Sequence, residues 1–176
     1  MRRVLLAGIV LVVVIVVAWS RDEGPGVRAG PWHGETSQGY PMAFVVSETD
    51  GDLTLDEWQI RVDVRCEATG RLVAVGIWLG MPTPIADRRF AQRTADLMMW
   101  NSWSGGFPAD DGARGRFGTV VPALIGEELP ELRSEKCSAT DLAWTARPGE
   151  GDDEELADAP VDLKLRVGRD GRVTRM

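Results

Sequence analysis

The chain has 176 residues, with 27 acidic against 20 basic side chains, one histidine and two cysteines. Its net charge is −7, and −9 once Arg2 and Arg3 are set aside, which works against sequence-independent binding to phosphate backbones or anionic lipid surfaces; no nucleic-acid partner is expected. The 156 residues after Ser20 are enough for one domain with a real core and too few for two.

Val4 to Trp19 is an uncharged, aliphatic run introduced by Arg2 and Arg3 and followed by Arg21, Asp22 and Glu23. Valine, leucine and isoleucine each favour a membrane centre by roughly 0.3 to 0.6 kcal/mol, so insertion is hard to avoid. As a helix the run spans about 24 Å against a hydrocarbon core of about 30 Å, short for an anchor and long for a signal core. Ala18 and Ser20 also suit cleavage after Ser20, which would make the protein secreted. The reading taken is a retained signal-anchor over residues 1–20, the arginines inside and the remainder extracytoplasmic. The membrane, through this helix, is then the first partner.

Residues 21–39 carry Gly24, Pro25, Gly26, Gly30, Pro31, Gly34 and Gly39 with hardly any aliphatic side chain, and read as a flexible tether. Trp32 and His33 lie inside it, the tryptophan expected to fold back onto the domain and the histidine to be solvated. The domain itself is expected over residues 40–176. Met42 to Val46 is a strand closed by the turn cluster Glu48 to Asp52. Trp58, Ile60, Val62, Val64 and Cys66 alternate with Gln59, Arg61, Asp63 and Arg65, the signature of an antiparallel strand with one wet face, and Cys66 points inward. Arg71 to Leu79 returns as a more central strand.

Beyond Pro82 and Pro84, Ile85 to Met99 holds good helix formers with Asp87 in the first turn, and a helix is expected there although its apolar face is poor. Phe117 to Val121 and Leu142 to Ala146 are strands, and Ala123 to Lys136 is expected to carry a short helix that delivers Cys137. Glu150 to Asp158 is an acidic run read as a solvated loop, because its spacing does not match a calcium loop. Over Pro160 to Met176 an alternating strand, the Asp170-Gly171 turn and the step to Val173 are similar to the paired strands of TonB C-terminal domains. That similarity covers this segment alone and carries no energy-transducing role. The fold class is therefore mainly β with α+β as the variant: an antiparallel sheet or sandwich with one or two short helices.

Cys66 and Cys137 are the only cysteines, and in an oxidising compartment an isolated pair reads as a structural disulfide. No metal or cofactor is expected, since there is no Cys-x-x-Cys, and no Gly-rich phosphate loop precedes a helix. Trp100 and Trp103, with Asp110 and Asp111 downstream, are the candidate binding residues, for indoles offer rigid contact area and the carboxylates can hydrogen-bond a protein, peptide or glycan of the cell envelope. Core packing competes with that role for both indoles. The three-residue spacing puts both indoles on one face if the helix from Ile85 continues, and turns one in and the other out if the segment is extended. A nucleophilic triad lacks a base apart from His33. The expected function is a membrane-tethered binding or assembly module. The alternative is a cell-envelope hydrolase using paired carboxylates, for which Glu57, Asp63, Asp110 and Asp111 are the candidates.

Overall fold

The computed structural model describes residues 26–95, 99–121, 135–149, 160–170 and 172–176. The apolar run at 1–20, most of the expected helix at 123–136 and the acidic run lie outside these residues. Among the described residues no helix is long and apolar enough to cross a membrane.

Strand pairing accounts for nearly all of the regular structure. The chain forms β1 (Gly30–Thr36), β2 (Pro41–Thr49), β3 (Asp52–Cys66), β4 (Leu72–Leu79), β5 (Thr83–Ile85), β6 (Arg89–Ala95), β7 (Trp100–Ala109), β8 (Gly112–Val120), β9 (Cys137–Pro148), β10 (Leu163–Val167) and β11 (Val173–Arg175). One sheet contains them in the order β11-β10-β4-β3-β2-β1-β9-β8-β7-β6. All pairings are antiparallel except β10 with β4, which is parallel. The short β5 joins the start of β3, and a two-residue turn leads from β5 into β6, so the path from β3 through β9 and back to β6 closes on itself around one core.

That core is aromatic. Trp32, Phe44, Trp58, Phe90, Phe107 and Trp144 come from six strands and touch one another at centroid distances of 5.1 to 6.3 Å. Trp58 and Trp144 meet edge to face at 90°, the arrangement their ring quadrupoles favour. Gly105 and Gly115 are opposite one another and lie over the Trp144 indole; a Cβ on either would stand 2.5 Å from its Cζ2. Side chains there would displace the ring.

The hairpin β1–β2 fits between β3 and β9 like a wedge. Its tip at Thr36 to Tyr40 turns through Gly39, whose φ of 75° suits glycine. Just past the tip β3 and β9 pair directly, Arg65 with Ser138 and Cys66 with Cys137, and a disulfide joins the second pair at a Cα separation of 3.9 Å. Gln38 closes the remaining gap by behaving as a strand residue: its Nε2 donates to the Asp63 carbonyl at 3.0 Å and its Oε1 accepts from the Asp63 amide at 2.9 Å. The Tyr40 hydroxyl donates to Asp63 Oδ2 at 2.7 Å, and the Arg61 guanidinium lies 4.2 Å above the tyrosine ring.

Two expectations are corrected here. Residues 26–39 are not a tether: β1 pairs with β2 on one side and β9 on the other, Trp32 is fully buried, and its Nε1 donates to the Arg28 carbonyl at 3.0 Å. Gly34 serves close approach, since a Cβ there would collide with the Thr145 carbonyl of β9. The described part of the expected helix, residues 85–95 and 99, is not helical. Ala86 to Arg89 is a tight turn in which Asp87 and Arg88 have φ of 49° and 59°, and β6 follows, paired with β7 along its length. Helix propensity is worth only tenths of a kcal/mol per residue, and Arg89 to Ala95, where Phe90 alone is deeply buried, offers no apolar stripe with which to hold a helix on the core.

Candidate functional site

Strand alternation decides which side chains can meet a ligand. In β4, Val73, Val75, Ile77 and Leu79 fill the core, which leaves Trp78 on the outer face. In β9, Trp144 and Ala146 point in, so Thr145 and Arg147 point out. The register then sets a single lateral row across five strands: Trp78 opposite Gln59, Gln59 opposite Ala43, Ala43 opposite His33, and His33 opposite Arg147. Arg166 of β10 lies beyond Trp78 at the far end.

Two depressions share His33 along this row. One, of about 300 Å³, is floored by Ala43 and Val45 and bordered by Pro31, Trp78, Glu57 and Gln59. The other, of about 460 Å³, lies over β1, β8 and β9, lined by Gly34, Ala113 and Ala146, the two alanines with side chains turned inward, and by His33, Glu35, Arg114, Thr145 and Arg147, which face out. Pro108 and Arg114 continue the second into a further cleft of about 430 Å³ beside Asp87, Arg88, Arg89 and Gly106. The whole is a shallow trough on the outer face, apolar on one side of His33 and arginine-rich on the other.

The arginines differ in their engagement. Arg88 is committed, its Nε donating to the Phe107 carbonyl at 2.7 Å and its Nη2 to Asp110 at 3.1 Å. The side chains of Arg89, Arg114 and Arg147 have no ion-pair or hydrogen-bond partner among the described residues, although the chain as a whole is acidic. Register places Arg114 and Arg89 on either side of Gly106, which has no side chain to fill the space between them.

The residues singled out from sequence do not form one site. Trp103 is buried in the core, where its Nε1 donates to Thr83 Oγ1 at 3.2 Å. Trp100 is half-buried on the opposite face, as an extended segment requires, at the far end of β7 from the Asp110-Asp111 turn, about 30 Å away along the strand. Asp110 adjoins the trough only through Arg88, and Asp111 is exposed beside it. Trp103 is thereby corrected from a candidate contact residue to a core residue. Glu57 and Asp63 lie six residues apart on β3, about 20 Å, and Asp63 is occupied at the hairpin tip. Neither is brought to Asp110 or Asp111, so the carboxylates named for hydrolysis do not converge. Glu135 approaches Cys66 and Cys137 closely enough to share an ion with them, but both sulfurs are bonded to each other.

Sequence reasoning set His33 aside as a solvated side chain and did not single out Trp78, Arg89, Arg114 or Arg147. The phase of Trp78 against Val73, Val75 and Ile77 was a usable signal for an outward indole; the gathering of the arginines depends on pairings between β1 and β9 and between β8 and β9, which no local pattern encodes. No protein-family model, no characterised protein and no solved structure matches the chain.

Proposed function

We propose that the protein is an exported, membrane-tethered binding or assembly module of the cell envelope, and that the trough centred on His33 is its contact surface. The observation that carries this reading is the row from Trp78 to Arg147, with Arg114 and Arg89 beyond it: an outward indole and three arginines whose guanidinium groups have no partner among the described residues border adjoining depressions that share His33 and Arg114. An outward sheet face with an aromatic anchor at one end and guanidinium groups at the other suits recognition of an elongated partner, because aromatic and arginine side chains supply most of the energy at protein interfaces. The disulfide fits an oxidising compartment, and the apolar run behind Arg2 and Arg3 supplies both a route there and a hold on the membrane.

The test has two arms. A periplasm-active reporter fused after Met176 should be active and fractionate with membranes, whereas chains beginning at Arg21 in the soluble fraction would remove the anchor and leave export standing. In the same cells, a photoreactive residue at Thr145 should give adducts that the same residue at Glu48, exposed in the β2–β3 turn region, does not give. Equal yields at both positions would remove the trough as the contact surface.

A further inference from the structure

Resting on the reading of the trough as a contact surface, we infer that its partner is an extended peptide segment in which an aromatic or aliphatic residue is followed, about six positions away, by acidic residues. The spacing comes from the register. Trp78 and Arg147 are separated by four strand-to-strand steps, about 19 Å, the length of about six residues of extended chain. A segment laid across the strands would set its apolar side chain against Trp78 and Val45 and its carboxylates against Arg147 and Arg114.

Charge argues for carboxylates at particular positions over a uniform polyanion. Arg89, Arg114 and Arg147 have forks that no described residue uses, and planar guanidinium pairs bidentately with carboxylate or phosphate. Glu35 and Asp87 stand on the walls of the same clefts, and the chain carries a net −7, so a dense row of phosphates meets repulsion at several places. A polyphosphate or a simple anionic glycan also offers nothing for the apolar depression beside Trp78. A peptide supplies both chemistries at a chosen distance.

The full chain in phosphatidylcholine nanodiscs is panned with a phage-displayed random dodecapeptide library, in parallel with an Arg114→Gln/Arg147→Gln variant whose fold is checked by circular dichroism. Enriched peptides are then measured by fluorescence anisotropy beside two further probes, poly-L-glutamate and polyphosphate. The expected result is enrichment of sequences with Asp or Glu about six positions from an aromatic or aliphatic residue. Their affinity should fall about 3- to 30-fold on the double variant, recover in part with Arg114→Lys and Arg147→Lys, fall with Trp78→Ala, and weaken with added salt. Failure to enrich any peptide over the double variant, enrichment of acid-free sequences, or tighter binding of polyphosphate than of every selected peptide would overturn the proposal. If acid-free peptides or polyphosphate bind and lose affinity with Trp78→Ala, the trough still stands as a contact surface and only the ligand class falls.

Discussion

Trp100 and Trp103 have different surroundings although they share one strand. Trp103 is closed in and its indole N–H is satisfied by Thr83, while Trp100 lies half-buried on the outer face. Trp103→Ala should therefore cost about 3 to 5 kcal/mol in urea unfolding, and Trp100→Ala clearly less. A similar loss at both positions would mean that the two faces of β7 are equally packed. Tyr40 gives a pH-dependent counterpart. Its hydroxyl donates to Asp63, and that bond, helped by partial burial, raises the phenol above its ordinary value of 10.0. A raised folded value means the fold prefers the neutral phenol, so the contribution is complete below about pH 10 and is lost as pH rises through the folded value. Tyr40→Phe should lower stability by about 1 kcal/mol at neutral pH and flatten the loss above pH 10. An unchanged alkaline limb would show that the tyrosine does not titrate against Asp63.

At the scale of elements the wedge β1–β2 explains why the cysteines sit where they do. β3 and β9 diverge around the hairpin and rejoin beyond it, and the disulfide fixes the point of rejoining while closing a loop with a sequence separation of 71. Cys66→Ser should lower stability by about 2 to 5 kcal/mol, and the oxidised chain should be lighter than the reduced one by two hydrogens. Two alkylatable thiols in the native protein would contradict the pairing. Strands with a clean period of two, Trp58 to Cys66 and Leu163 to Val167, were legible because each buries one face. β1 and β6 were not. β1 holds Gly30, Pro31 and Gly34, the last where β9 comes close, so its composition resembles a linker, and β6 buries only Phe90 deeply, so its local propensity points to a helix that its pairing with β7 overrides. Cys66 and Cys137 could be paired from sequence by count and compartment alone; the direct opposition of β3 and β9 at that point could not.

Taken whole, the molecule separates its two faces by chemistry. The inner faces of the closed path hold a connected network of six aromatic rings, and the outer face carries Trp78 and arginines that no described residue pairs. Such pairs, Arg116 with Asp141 or Lys136 with Glu67, are exposed and contribute within about 1 kcal/mol each, so charge here bears more on partner choice than on stability. On the proposed reading this surface lies outside the cytoplasm and is covered by a partner there. Membrane-impermeant maleimide labelling of intact cells, with single cysteines introduced at Thr145 in the trough and at Glu48 away from it, tests both halves at once. Both positions are exposed, and the native cysteines are buried and bonded. The account predicts rapid labelling of the Glu48 position in intact cells, slow labelling of the Thr145 position there, and equal labelling of the two in the purified protein. Labelling of neither until the cells are lysed would contradict export, and equal labelling of both in intact cells would contradict an occupied trough.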